Sequence, residues 1–472
     1  MTAESISASP TASTNTSTTN EPPALTGRVV RPGDDGYPAA RAGWNRLFEH
    51  EPAAIVFAQH TDDVVRAVAW ARHHDVDVRV RSGRHCLQGW SNVDGGLVID
   101  VSELKSVTVD AASCTATVGA GLTQLEAVTA LGAAGVVAPT GTEGTVGLVG
   151  ATLGGGFGLL TRAFGMASDH LLAVEIVVAS GDGGARAIVV DDRDGANLLW
   201  ALRGAGNGNF GVVTALTYRV HPLSRTGYLT ATWPGLDRLA PVFETWQRTA
   251  PHVDDRLTSQ LEITRDQIAL TAVLVDGAAD EARQLLAPLL EIGDPDLVTT
   301  DDTWARTYAA FQIPTDHEPS NWRFESQFVE EPFGAEAIEV IGAFLATAPT
   351  AHCNYFTNAF GGAVARSAPA GGSVFAHRDA LFYAEPGAGW GTRGDGVPAA
   401  DDPLTDPCLT WIADFADALS PWVGGAYVNV PNAGLEDWPT AYWGAGVDRL
   451  RAIKAIYDPS DVFRHEQSVP LP

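Results

Sequence analysis

Apolar and polar positions alternate in short bursts along the first half of the chain, and these bursts predict strands. Pro52–Ala58 is a compact apolar run of this kind. Thr61 then stands as a helix cap, with Asp62 and Asp63 in the first turn and Val64, Val65, Ala67, Val68 and Ala71 at helical spacing. The valines of Val76–Val80 predict the next strand, so the opening unit is β-α-β. Further strands are expected over Leu97–Val101, Val107–Val109, Thr115–Val118, Leu171–Ser180, Ala187–Val190 and Val212–Val220, and helices over Gly121–Leu131 and Asn197–Arg203.

Beyond His221-Pro222 aromatic residues become frequent, and strands alternate with helices, as at Leu270–Val275, Ala279–Ile292 and Glu336–Thr347. This change divides the chain into one domain over residues 26–222 and a second over 223–425. A strand from Leu381 puts Tyr383 and Glu385 on one face, and a strand over Gly424–Pro431 does the same for Tyr427 and Asn429. Singly, each of the four is a core or surface position by default. Aligned on adjacent strands, they make a polar site. Arg449–Phe463 predicts an amphipathic helix stopped by Asp458-Pro459.

Charge narrows the range of partners. The net charge of -27, with Lys105 and Lys454 the only lysines, removes the basic face that nucleic acid requires. Such a charge keeps a protein in solution or steers a cationic substrate. No apolar run reaches the length of a membrane helix, about 18 residues. Cys86, Cys114, Cys353 and Cys408 are far apart and suggest neither a zinc site nor a disulfide framework, so no metal is expected. Residues 1–25 are rich in Ser and Thr and lack the basic start and apolar core of a secretion signal. They are expected to form a disordered tail on a cytoplasmic protein with reduced cysteines.

Two stretches carry candidate chemistry. Arg81-Ser82-Gly83-Arg84-His85-Cys86-Leu87-Gln88-Gly89 follows a strand, and a loop of this composition can aim several backbone N–H groups at one anion beside a nucleophilic imidazole. The same composition also makes plain tight turns. Pro139–Gly158 is dense in glycine but interspersed with Val and Leu, which marks a buried loop that a flat ligand could approach closely, rather than a spacer. Gly204–Gly211 leads into a strand instead of opening a helix, so the dinucleotide fingerprint is not met.

Together these stretches resemble the berberine-bridge-enzyme-like branch of the vanillyl-alcohol-oxidase flavoproteins, over roughly residues 30–472. The resemblance rests on Arg-Ser-Gly-x-His85, Leu153-Gly-Gly-Gly156-Phe-Gly158, Arg162-x-x-Gly165-x-x-x-Asp169, Arg203-Gly-Ala-Gly, Asn209-Phe-Gly-Val-Val-Thr214, Tyr427-Val-Asn429 and Tyr457-Asp-Pro-x-x-x-Phe463. It implies an α+β fold: a PCMH-type FAD-binding domain plus a substrate domain with a sheet covered by helices, residues 426–472 returning to the FAD domain. It implies FAD bonded covalently through the 8α-methyl to His85 alone, because Glu143 stands where many relatives carry a second anchoring cysteine. Cys86 is not that cysteine, Arg84 replaces a usual glycine, and Val430 replaces a second tyrosine.

The cofactor-binding set implied is Arg81, Ser82, Gly83, Arg84, His85, Cys86, Gly89, Glu143, Val146, Gly147, Gly150, Gly154, Gly155, Gly156, Gly158, Asn209, Phe210, Gly211, Val213 and Asn429. Tyr427, Glu385 and Tyr383 are the catalytic candidates. A small Val146 is similar to that of oxygen-reactive members. The expected activity is that of an oxidase of a small aromatic or secondary-metabolite substrate, using O2 and releasing H2O2, as a monomer or homodimer. The alternatives are a sugar or oligosaccharide oxidase, or a flavin-binding protein with little turnover.

Overall fold

Leu97–Asp100 is buried along its whole length because it lies between two parallel neighbours, Ala54–Phe57 and Val78–Arg81. The apolar run Leu97–Ile99 suits a strand covered on both faces. Helix Thr61–His73 makes the crossover of this β-α-β unit. Thr61 is its first helical residue rather than its cap: the cap position is His60, and the Thr61 hydroxyl is taken by Glu175. The computed structural model describes residues 25–472, so the tail expected to be disordered lies outside the described residues except for Leu25, which packs against the core of the first half.

A second sheet is antiparallel and runs in the order Val107–Asp110, Thr115–Gly119, Val212–Arg219, Leu171–Ala179, Ala185–Asp191. The helix expected from Gly121 begins only at Gln124, where Thr123 and Glu126 close a reciprocal capping box. Within the glycine-rich stretch, Leu148–Leu153 forms a short helix that glycine content concealed.

The second half builds an eight-stranded sheet centred on Leu257–Thr264, Asn354–Ala359 and Phe382–Thr392. Side chains alternate between its faces. Leu261, Ile263, Tyr355 and Ala384 point into an apolar core with helices Leu239–Thr249, Ala335–Ala346 and Thr405–Leu419, while Gln260, Glu262, Asn358, Tyr383 and Glu385 occupy the opposite face. The helix expected across Ala279–Ile292 divides into Ala279–Leu285 and Ala287–Leu290, where Pro288 removes a backbone donor. Gly424–Pro431 is not a strand. Its contacts are isolated bridges, and Tyr427 to Val430 is a turn closed by the Val430 N–H donating to the Tyr427 carbonyl at 2.9 Å.

Two buried cations join these parts. Arg162, 0% exposed, spends its guanidinium on carbonyls of the second half, among them Phe360 at 3.0 Å, Pro251 at 3.1 Å and Val253 at 2.7 Å. Lys454, on helix Val447–Tyr457, is also 0% exposed and donates to the Asn209 carbonyl at 2.8 Å, the Phe463 carbonyl at 2.6 Å and Asp458 at 2.7 Å. The helix thereby docks on the first half, sharing its core through Leu450, Ile453 and Phe463. Lys454→Ala leaves the Asp458 carboxylate buried without its cation and should cost about 3–5 kcal/mol. Urea unfolding measures this, and a loss within error of zero contradicts it.

Candidate active site

The strand Val78–Arg81 ends with Arg81 buried and ion-paired to Asp100 at 2.8 Å. A β-carbon on Gly83 would fall 2.1 Å from the Gly147 nitrogen, so only glycine lets these two loops touch. Arg84 adopts a left-handed backbone (φ 65), and its guanidinium donates to the Ala39 carbonyl at 3.0 Å. This conformation delivers His85 to Trp44, on which its ring stacks at 4.9 Å.

His85 Nε2 meets the Thr145 hydroxyl at 2.8 Å, and that hydroxyl donates its one proton to Glu143 at 2.8 Å. The Thr145 oxygen must therefore accept from Nε2–H, which places the imidazole lone pair on Nδ1. Burial, with the Arg393 cation second, pushes the imidazolium pKa down to about 3, so the ring is neutral. Burial raises the Cys86 thiol, which stays protonated.

A cavity of about 880 Å³ lies between this loop and the polar face of the large sheet. The Tyr427 phenol oxygen accepts the Gly156 N–H at 2.9 Å and the Asn429 amide at 2.7 Å. Tyr427 and Asn429 thus meet through a turn, not through strand alternation. Tyr383 lies beside Tyr427, ring centroids 5.7 Å apart, and donates its hydroxyl to Glu385. Burial raises both phenols above their ordinary range, so both are protonated near neutrality. Burial also pushes the Glu385 carboxyl up to about 7, helped by the Glu262 charge and opposed by the Tyr383 hydrogen bond.

Arg81, Ser82, Gly83, Arg84, His85, Cys86, Glu143, Val146, Gly147, Gly150, Gly156, Gly211, Val213, Tyr383, Glu385, Tyr427 and Asn429 all line this cavity. Gly89, Gly154, Gly155, Gly158, Asn209 and Phe210 lie behind its wall. A β-carbon at Gly89 would meet Phe48 at 2.6 Å, one at Gly154 the Asn429 amide at 2.1 Å, one at Gly155 Met166 at 3.1 Å and one at Gly158 the Thr140 carbonyl at 2.5 Å. Asn209 spends its side chain on the Ala205 carbonyl at 2.9 Å and the Val469 N–H at 2.8 Å, and Phe210 is core. The wall also includes Trp44, Gln260, Glu262, Asn354 and Phe356, which sequence reasoning did not single out. Only the register of the large sheet, set by distant segments, brings the last four there.

The unpartnered donors and acceptors of the wall fit a long, polar, phosphate-bearing cofactor. On the loop side of the wall Arg79 Nε, Arg81 Nη1, Asn207 Oδ1 and His465 Nδ1 are buried without partners. Residues 52–183 match the model described as an FAD binding domain, and residues 426–470 the one described as berberine and berberine like. The chain is 38% identical over 451 residues to the FAD-linked oxidoreductase YgaK of Bacillus subtilis (strain 168), covering 94% of this chain and 97% of the other. Its fold is similar to that of Physcomitrella patens BBE-like 1, with a TM-score of 0.86, 25% identity and coverage of 95% and 97%. The crystal structure of aclacinomycin oxidoreductase gives a TM-score of 0.84 at 27% identity, covering 95% and 100%.

An FAD-dependent oxidoreductase is the class that this fold and cavity define. The chain belongs to the berberine-bridge-enzyme-like family of FAD-linked oxidoreductases. No helix among the described residues is long and apolar enough to cross a membrane. Because the contact at Gly83 is backbone on backbone, Gly83→Ala should fold yet retain little flavin. The ratio of flavin to protein absorbance in the purified variant reads this, and parent-like loading contradicts it.

Proposed function

We propose that the protein is an oxidase of a small aromatic or secondary-metabolite molecule, with FAD attached by a single bond to His85. The observation that carries this reading is that His85, Tyr427 and the Tyr383–Glu385 pair face one cavity. FAD, when bound, supplies hydride acceptance from a C–OH, C–N or activated C–H bond and passes the electrons to O2, giving H2O2. The likeness to aclacinomycin oxidoreductase supports a secondary metabolite as substrate.

His85 suits the attachment because its ring is neutral and its lone pair is turned to Nδ1 by Glu143 through Thr145. Glu143 therefore orients the histidine, at the position where a second anchor would otherwise stand. Glu385 takes the proton of the substrate hydroxyl or amine, a task for which a group titrating near neutrality is suited. Tyr383 holds that carboxylate, and Tyr427, fixed by Gly156 and Asn429, orients the reacting group. Val146 is on the same wall, and its small side chain supports access of O2 there.

Acid-precipitated parent enzyme should retain yellow flavin, whereas His85→Ala should release it to the supernatant. Flavin still attached in that variant sinks the assignment. A base is competent only when ionised, so flavin reduction should rise with pH through about 7, level off above it and fall about tenfold per unit below it. Glu385→Gln should abolish that profile and slow reduction by about 10²–10⁴-fold, and Tyr427→Phe should slow it with little spectral change. Stopped-flow reduction by a true substrate decides this, and parent rates in both variants contradict it.

A further inference from the structure

Glu262, Phe356 and Glu385 form one row on the cavity face of the large sheet, since Glu262 lies opposite Phe356 and Phe356 opposite Glu385. Opposed side chains stand about 5 Å apart at Cβ, so a phenyl ring sits between two carboxylates. Glu385 is at the inner end, and Glu262, exposed while lining the cavity, marks its mouth. On the same strand as Phe356, Asn354 donates its amide to Glu262 at 3.0 Å. Its carbonyl oxygen is left without a donor although the residue is only 8% exposed.

The carboxylates on the cavity wall are Glu143 and Glu318 near His85, and Glu262 and Glu385 on the large sheet. Among the described residues, the arginines on its wall are Arg79, Arg81, Arg84 and Arg464, all outside the sheet, and the bases nearer the sheet are His317 and His352. The stretch beside these arginines thus suits phosphates, while the large sheet lines the cavity with acceptors and carboxylates and with no arginine.

We propose that the substrate carries a basic nitrogen, held as its ammonium between Glu262 and Glu385 over the face of Phe356. The proposal rests on the oxidase reading above and specifies the substrate class for that site. Each part matches a cation: two carboxylates, a ring whose face is electronegative, and a free carbonyl acceptor. The net charge of -27 draws such a cation to the mouth. Once bound, the ammonium favours the ionised form of Glu385, so the charge being recognised also readies the base. Glu262 is then a specificity-determining residue.

Calorimetric titration of the flavin-loaded enzyme, above neutral pH, with benzylammonium and with neutral benzyl alcohol tests this. Benzylammonium should bind more tightly, with a preference that shrinks in high salt. The preference should fall roughly threefold to fivefold in Glu262→Gln, and by at least about tenfold in Glu385→Gln. Glu262→Asp should largely keep it. No binding of benzylammonium, equal affinities for the two probes, or an unaltered preference in both Gln variants overturns the proposal. Parent-like melting and flavin content show that the variants are folded. Failure of the oxidase reading looks different: Tyr427→Phe and Glu385→Gln would then reduce their flavin at parent rates, whatever the cation preference.

Discussion

The whole site depends on two backbones touching at Gly83 and Gly147. A β-carbon at either position would lie within 2.1 Å or 2.5 Å of the other's backbone nitrogen, so the loops close only because both are glycine. Closure brings Thr145 within hydrogen-bond reach of His85, and Glu143 within reach of Thr145. The buried pair of Arg81 and Asp100 fixes where the histidine loop leaves its strand, so the contact starts from a rigid edge. Steric necessity at one point thus becomes tautomer control at another.

Burial in the same cavity moves the pKa values of two groups in opposite directions. It lowers the pKa of the His85 imidazolium, leaving the ring neutral, and raises that of the Glu385 carboxyl towards neutrality. Neighbours refine the second shift: Glu262 adds to it and Tyr383 limits it. A carboxyl without the Tyr383 hydrogen bond would titrate higher still and be less ionised at neutral pH.

Short-range chemistry was legible in the sequence and long-range register was not. The loop from Arg81, the glycine stretch and the strand carrying Tyr383 and Glu385 could be read from local pattern, because turn residues and alternation act over a few positions. Tyr427 and Asn429 were assigned to a strand, yet they meet in a turn. Spacing of two brings side chains together in either geometry, so the pairing was legible while its cause was not. Thr61 had the composition of a cap, but its hydroxyl is engaged by Glu175, more than a hundred residues away. Glu262, Asn354 and Phe356 gave no local signal, because their presence on the cavity wall is created by pairing between segments nearly a hundred residues apart.

Several of the residues that carried the family resemblance are joints rather than ligands. Arg162 grips carbonyls of the second half, Asn209 and Asp458 receive Lys454 or the chain beside it, and Phe210 is core. Their chemistry explains the arrangement. His85 comes from the first half, Glu385 from the large sheet and Tyr427 from the segment that returns to the first half. A site assembled from three segments holds its distances only if the segments cannot shift, and a buried cation that must satisfy several carbonyls at once resists sliding in every direction. The geometry around the cavity is therefore maintained largely by groups that never line it.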